Sequence, residues 1–581
     1  MGSEQSILEK KGYKIERETE HGVVVTKTDD TFLIREISLA QVAAETKADL
    51  LNEIEILKTT NHPHIVSSEN SFEDGPTYYI VMDYCQGGSL AEKIKEQREP
   101  SEEQQILNWV VQICVALKYI HDKQLLHKDL KPESVFLTEF GTVCLGRFGR
   151  VGENSTSPSA TNSNSSDKGA VSYLAPETLT DGDYNSKSDI WSMGCILYEL
   201  CTLKLAFSAE TTIKLIPKIL CGSYPSLPER YSPELRGLLS DIFSKDPKLR
   251  PTAREILGRP FIISLLSTKS KETVKELQTN LDKLRTVADG LERVHQGTTI
   301  GSLTGGVIGA AGGITSIVGL ILTPFTLGAS LVVTGVGIGV AAAGGLTAGV
   351  SNITNIVNQS SDRKAVRRII KEFEEKIEAV VMWVQEISEG LELLSTICDS
   401  ADSEGSIVSK EILARLGLRA GRGLAGVAEL VRLIQVMNIG KVAAQTARAV
   451  RVAEVAGGVL AGLFVAVDVF FIAMDAKEIH NIRQAKAAEA AIATDQACSE
   501  TMPENTPQVS EPKSDKAALV PNTEKSTTEQ KAQPTSKADT VKSEIMKFVL
   551  SVRQTAEELQ QVLDDLEFIV SGIPSLPSPE G

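Results

Sequence analysis

The sequence lacks the clustered cysteines that would indicate a metal-bound or disulfide-bonded protein. Its eight cysteines are scattered over 581 residues, and none of them forms a Cys-x-x-Cys pair. Zinc sites and disulfide frameworks need regularly spaced cysteines, so neither is predicted and a reducing compartment is favoured. Residues 1–11 also lack the apolar core of a secretory signal. We therefore expect no signal peptide and a cytosolic start.

Acidic residues outnumber basic residues, and the formal net charge is -16. Phosphate recognition along nucleic acids needs a basic surface, so no nucleic-acid partner is predicted. Charge of either sign is missing altogether between Arg293 and Asp362. A chain of this length is too long for one core, and two or three domains are expected.

A carboxylate is missing from a motif that should contain one. Residues 143–149, Val-Cys-Leu-Gly-Arg-Phe-Gly, and the preceding segment 127–134, His-Lys-Asp-Leu-Lys-Pro-Glu-Ser, have the form of phosphate-transfer loops. Such a loop needs a carboxylate two residues before its last glycine to hold magnesium. Arg147 stands there, and a guanidinium stays charged and cannot ligate a cation. The motif thus indicates a phosphotransferase fold and argues against its chemistry.

Several motifs in the first half resemble the protein kinase family, in the expected order. They are His127-Lys-Asp129, Ala175-Pro-Glu177, the segment 188–194 and Arg250, and residues 198–207 and 231–236 are most similar to the NIMA-related kinases. Short β-branched runs precede helical patterns here, which is typical of a mixed fold. We predict a multidomain chain. An α+β bilobal kinase-like domain spans 12–268, and an all-α, membrane-interacting helical domain spans 271–485.

The resemblance implies an ATP site whose positions are degenerate. The glycine-rich lid keeps only Gly22, the β3 lysine is replaced by Arg35, and the catalytic-loop asparagine is replaced by Ser134. The proton-handling positions are retained as Asp129, the catalytic base, and Lys131. The positions predicted to face a nucleotide are Gly22, Arg35, Glu53, Met82, Ser134 and Arg147.

Loss of both magnesium ligands predicts a pseudokinase, a binding or regulatory module without catalysis. The retained Asp129 and Lys131 then serve the fold of their loop. Arg147 has several open roles: it contacts Asp129 or Glu53, or it binds an ATP phosphate directly, which would allow ATP to bind without magnesium. The alternative is an active ATP-dependent serine/threonine kinase tethered to a membrane.

The uncharged run predicts a membrane segment. Residues 300–346 are long enough to cross a bilayer twice, and Pro324 favours a helical hairpin. Small residues every four positions allow close helix packing in lipid, and they are Gly301, Gly305, Gly309 and Gly313. The alternative is a hairpin buried inside a soluble bundle.

A second apolar run, residues 455–474, contains one charge, Asp468. Protonation at low pH would ease its insertion, or Asp468 faces a water-filled pore. Equally open is a segment that lies flat or stays in a soluble bundle with Asp468 facing solvent.

The segment 284–295, the glycine repeats and Leu322-Thr-Pro-Phe-Thr326 are similar to the apolipoprotein L family. That resemblance implies lipid binding and transport, membrane insertion and, in some members, ion conduction. The expected partners are membrane lipids and unidentified proteins bound by the kinase-like domain. The expected location is the cytoplasmic face of intracellular membranes. A channel regulated by the kinase-like domain is a third hypothesis.

The ends of the chain carry weaker signals. Residues 1–11 match a pattern for myristoylation of Gly2 or are a disordered starter peptide. Residues 498–540 are rich in Pro, Thr, Ser, Lys and Glu and predict a disordered linker. Residues 541–571 predict an amphipathic helix, and coiled-coil packing is expected somewhere among the helical segments.

Overall fold

The structure is a computed structural model. It describes residues 7–19, 21–27, 30–38, 58, 60–148, 169–301, 348–402, 415–417, 444–473 and 537–573. Among the predictions above, the Pro324 hairpin and the 498–540 linker largely lie outside these residues.

The first part of the chain forms a five-stranded antiparallel sheet in the order β1-β2-β3-β5-β4. Its core side is built from β-branched residues that alternate along the strands, and Val25, Ile34 and Val81 are fully buried there. The strands are β1 (Lys14–Thr19), β2 (Gly22–Lys27), β3 (Asp30–Ser38), β4 (Ser68–Asp74) and β5 (Thr77–Asp83).

A helical lobe follows the sheet. Its central helix, Glu103–Asp122, buries Ile106, Val110, Ile113 and Leu117 along one stripe at helical spacing. A short antiparallel ribbon of β6 (Val135–Leu137) and β7 (Val143–Leu145) packs beside it. The helices of this lobe are α1 (Leu90–Glu96), α2 (Glu103–Asp122), α3 (Pro176–Thr180), α4 (Ser186–Thr202), α5 (Thr212–Cys221), α6 (Pro233–Ile242) and α7 (Ala253–Leu257).

The remainder of the described chain is helical, so the predicted fold class is confirmed: a sheet-containing kinase-like domain followed by an all-α region. Among the described helices, one is long and apolar enough to cross a membrane, and about a third of its most apolar window is buried. It is α10 in the series α8 (Pro260–Gly301), α9 (Ala348–Asp402), α10 (Ala444–Ala473) and α11 (Lys537–Ser571). The predicted helix at 541–571 lies within α11.

The chain divides into two compact units that do not follow the order of the sequence. The first comprises residues 1–277, 374–454 and 562–581, and the second comprises residues 278–373 and 455–561. The kinase-like lobes therefore share a compact unit with parts of α8, α9, α10 and α11. In the second unit, Phe470 of α10 stacks on Phe548 of α11 with ring centroids 4.4 Å apart.

A buried ion pair holds the base of the helical lobe. Arg250 is fully buried and donates to both carboxylate oxygens of Glu177, at 2.7 and 2.8 Å. Burial alone would raise the pKa of Glu177, but the hydrogen bonds and charge of Arg250 outweigh it and lower that pKa. The guanidinium also lies over the Trp191 ring, 4.8 Å from its centroid.

Replacing Arg250→Met should lower the free energy of unfolding of the first unit by about 3–5 kcal/mol, because it leaves the Glu177 carboxylate buried without its partner. The three tryptophans, Trp109, Trp191 and Trp383, all lie in this unit. Denaturant unfolding of the full chain followed by tryptophan fluorescence therefore measures the effect.

The control is Lys214→Met, which removes an exposed ion pair with Glu210. Exposed pairs contribute about 0–1 kcal/mol. Equal unfolding midpoints for the two variants would contradict a dominant role for Arg250.

Candidate functional site

A cavity of about 260 Å³ lies between the sheet and the helical lobe. Three of the positions predicted to face a nucleotide line it: Arg35 of β3, Met82 of β5 and Arg147 after β7. Pockets for small molecules typically have volumes of about 300–1,000 Å³. The cavity is therefore small for a complete nucleotide.

The lid of the cavity places a side chain inside it. His21 precedes β2, and its ring meets Phe136 of β6 edge-on, with centroids 5.3 Å apart. Gly22 beside it has a φ of 142°, and a Cβ there would stand 2.4 Å from the Ile34 carbonyl oxygen. Only glycine fits at position 22, so the backbone of the lid can lie close to β3. The side chain of His21 occupies part of the cavity below the lid.

The arginine at the metal-ligand position contacts this histidine. The Nη1 of Arg147 lies 3.2 Å from the Nδ1 of His21. A guanidinium only donates, so Nδ1 accepts and the imidazole is the neutral tautomer with its proton on Nε2. Arg147 also adopts a left-handed backbone conformation, with φ 55°. A non-glycine residue there is held at some cost in strain, so the surrounding loop fixes it.

That loop keeps the packing expected of a kinase fold. The rings of His127 and Phe148 lie 4.7 Å apart, and His127 Nε2 donates to the Gly146 carbonyl at 3.0 Å. Burial lowers the pKa of His127, which favours the neutral ring that this packing needs. The arginine is therefore accommodated without loss of the loop's fold.

The catalytic loop is anchored by Asp189 of α4. Its carboxylate is fully buried and accepts from the backbone N–H groups of His127, at 3.0 Å, and Lys128, at 3.2 Å. Burial raises the pKa of Asp189, but hydrogen bonds led by that from His121, at 2.8 Å, outweigh it and lower the pKa. Asp129 is thereby held in place, and Lys131 Nζ lies 3.0 Å from its carboxylate.

The residues present do not fit magnesium. Ser134 is buried, and its hydroxyl donates to the Lys131 carbonyl at 2.8 Å and accepts from the Lys131 N–H at 3.0 Å. The hydroxyl is used to close the short helix Pro132–Ser134, and Arg147 brings a positive charge. Within the described ranges, no group of three or more His, Cys, Asp or Glu residues lies together as a metal site would require.

Among the described residues that line the cavity, positive charges outnumber negative ones. Arg17, Arg35 and Arg147 line it together with two acidic residues, Asp83 and Glu92. The backbone N–H of Ser89, 2.7 Å away, is the main cause that lowers the pKa of Glu92. Three guanidinium groups against two carboxylates suit a small anion bound without a metal ion.

The other predicted site residues lie elsewhere. Gly301 is the last residue of α8, and Asp468 lies in α10. Gly2, Glu53, Gly305, Gly309, Gly313 and Pro324 fall outside the described residues. His21 and Phe136 were not singled out from the sequence. The histidine beside the retained lid glycine was the available signal for this arrangement.

Comparison with known proteins identifies two regions of the chain. Residues 21–262 match the family model for the protein kinase domain, and residues 270–501 match that for apolipoprotein L. The chain therefore combines a domain similar to protein kinases with a region similar to apolipoprotein L, and both predicted resemblances are confirmed.

The kinase-like half has curated relatives among the Nek kinases. It is 44% identical over 245 residues to the serine/threonine-protein kinase Nek1 of Mus musculus, covering 41% of this chain and 20% of that protein. It is 36% identical over 277 residues to Nek4 of Mus musculus, covering 46% of this chain and 34% of that protein. For Nek5 of Homo sapiens the identity is 40% over 238 residues, covering 40% of this chain and 33% of that protein. The chain thus spans between 20% and 34% of the length of these relatives.

If the replaced motif residues alone prevent the binding of magnesium-bound nucleotide, returning them to the kinase residues should restore that binding. We expect the variant Arg35→Lys, Ser134→Asn, Arg147→Asp to gain a magnesium-dependent rise of a few degrees in its unfolding midpoint with saturating ATP. Thermal unfolding of the full chain with ATP and either magnesium or a chelator measures this.

The unchanged protein is the reference and should show no magnesium-dependent rise. The same rise in both proteins would contradict the assignment of these three residues. A second control adds His21→Gly to the variant, which removes the ring from the cavity and should strengthen nucleotide binding further.

Proposed function

We propose that this chain is a membrane- and lipid-associated pseudokinase. Its kinase-like domain is a binding or regulatory module on a lipid-binding, apolipoprotein L-like helical region. The observation that carries the proposal is the guanidinium of Arg147, which lines the cleft and contacts His21 where a metal-binding carboxylate is needed.

The physical reason is the charge of the transferred phosphoryl group. Phosphoryl transfer depends mainly on positioning and on neutralisation of that charge by magnesium. A positioned general base such as Asp129 contributes about 10²–10⁴-fold by itself. With Ser134 engaged in its own turn and Arg147 positively charged, the base has no metal-bound phosphate on which to act.

The ligand that suits the cleft is the phosphate part of ATP without magnesium. Arg35 and Arg147 offer fixed positive charge, and Arg147 can exchange its contact with His21 for a phosphate oxygen. The protein partners of the kinase-like domain are left unspecified by this proposal.

One observation favours the alternative, an active serine/threonine kinase tethered to a membrane. The Asp129–Lys131 pair is intact at 3.0 Å, and Asp189 anchors its loop. In that case the guanidinium of Arg147 would have to neutralise the transferred phosphoryl group in place of magnesium. The two hypotheses differ in their dependence on magnesium.

We expect the full chain to be stabilised equally by ATP in magnesium and in chelator, and to transfer no phosphate to a generic protein substrate. Arg147→Leu should abolish the stabilisation, because it removes the charge that meets the phosphates. Thermal unfolding and transfer of labelled phosphate measure the two effects. Magnesium-dependent transfer that is lost in Asp129→Asn would support the active kinase instead.

The proposed lipid-binding function is supported by the outer face of α10. Its side chains Val455, Val465, Val469 and Ile472 are between 57% and 61% exposed. They recur at helical spacing on a 30-residue helix, together with exposed Gly458 and Gly462. Such a continuous apolar face on a helix suits a lipid surface.

The acidic residue inside the apolar part of this helix, Asp468, has a partner. Asp468 accepts two hydrogen bonds from Arg367 of α9, at 2.8 and 2.9 Å, within the second unit. Arg367 also lies over the ring of Phe464, 4.7 Å from its centroid. This pairing compensates the charge of Asp468 beside the apolar face.

We propose that the chain acts at the cytoplasmic face of intracellular membranes.

Polar substitutions on the exposed face should weaken lipid binding without unfolding the protein. We expect Val465→Gln with Val469→Gln to reduce binding to phosphatidylcholine vesicles about tenfold or more, because each valine contributes about 1.5 kcal/mol when buried in lipid. Co-flotation of the full chain with vesicles measures this.

The matched control is Ile213→Gln, an exposed apolar residue of the kinase-like domain. It should bind vesicles like the unchanged protein. Unaltered binding by the valine variant would exclude α10 as the lipid-binding face.

A further inference from the structure

A segment of α9 packs directly on the helical lobe of the kinase-like domain, within the first compact unit. Lys118 of α2 contacts both carboxylate oxygens of Glu386 at 2.8 Å and Glu389 at 2.7 Å. The exposed fractions of the three side chains are 9%, 7% and 28%. We call these three residues the Lys118 cluster.

Two further contacts extend the interface along α9. Thr138, in the turn between β6 and β7, donates to Glu375 at 3.0 Å. At the other end, a Cβ on Gly390 would stand 3.3 Å from the Gly258 Cα and 3.0 Å from a methyl of Ile263. The contacts run from residue 375 to residue 390, which is about 22 Å along a helix. An interface of this length, with a glycine at its closest point, is a specific one.

The charge of Lys118 stabilises the interface. Burial alone would lower the pKa of Lys118, but the charges of Glu386 and Glu389 outweigh it and raise the pKa. Burial raises the pKa of both glutamates. At Glu389 the hydrogen bond from Lys118 outweighs burial and lowers the pKa, whereas at the more deeply buried Glu386 burial prevails and the pKa stays raised. Loss of Lys118 would leave two acidic groups at a buried surface without a counter-ion, which is strongly destabilising.

The same segment carries a continuous apolar stripe. Val380, Val384, Ile387, Leu391 and Leu394 recur at helical spacing and are at most 1% exposed. The polar residues of residues 371–397 are mainly acidic. Detached from the kinase-like lobe, this helix would be amphipathic, with an apolar stripe and an acidic face. The apolar stripe could then be buried in the interface of a membrane, and the acidic face would disfavour anionic headgroups, so a membrane with uncharged headgroups is the expected surface.

We propose that the helical lobe of the kinase-like domain is a receptor for residues 374–397 of the same chain, and that docking at the Lys118 cluster withholds this segment from lipid. The inference rests on the proposed lipid-binding function. It gives the lobe a role that requires no phosphate transfer.

The test uses the full chain with Lys118→Met. Hydrogen exchange of residues 375–390 should become faster on the order of 100-fold, because the docked state loses the counter-ion of a buried pair. Binding to phosphatidylcholine vesicles should rise several-fold, and the segment should become protected again when vesicles are added. Lys118→Met combined with Glu386→Leu replaces the pair by apolar side chains and should restore slow exchange and low vesicle binding.

The matched control is Lys93→Met, which breaks an exposed ion pair with Glu96 and should change neither readout. Unchanged exchange in Lys118→Met would overturn the inference. Faster exchange without a gain in vesicle binding would also overturn the inference. In that case, vesicle binding by the unchanged protein through α10 would still support the proposed function. If neither protein binds vesicles, the proposed lipid function fails and the inference fails with it.

Discussion

The proposed function depends on the guanidinium of Arg147. It occupies the position where a carboxylate would bind magnesium, and it contacts the ring of His21 inside the cleft. A positive charge at this place repels a metal ion and attracts an anion. The small volume of the cleft and its other arginines likewise favour a small anion over a metal-bound nucleotide.

The motif residues divide into two groups with different physical constraints. Asp189 and Arg250 are fully buried and hold backbone or side-chain partners through several hydrogen bonds, so replacing either would damage the fold. Arg35 and Arg147 line the cleft, where a change of side chain alters ligand binding more than packing. This explains how the chain can keep the residues that hold a kinase fold while the residues at the metal-ligand and β3 lysine positions differ.

The fold of the first half was predictable because its motifs are local runs of residues in a fixed order, and the arginine at position 147 stands inside one of them. The contacts of Lys118 were not predictable. Its partner Glu386 is 268 residues away in sequence and lies in a helix with many other acidic residues. The partner of Asp468 was hidden for the same reason, since Arg367 is 101 residues away. His21 could be noticed in the sequence beside Gly22, but its contact with Phe136 depends on how closely the lid approaches β6 and could not be predicted.

The junction between the two family matches falls inside a single helix. The kinase match ends at residue 262 and the apolipoprotein L match begins at residue 270, both within α8. Leu266, Ser270, Val274 and Leu277 are buried on one side of this helix in the first unit. One inserted or deleted residue between 266 and 270 would turn the following side chains by about 100° around the helix axis. The length of the join is therefore fixed by helical phase, and it cannot drift as the length of an ordinary interdomain linker can.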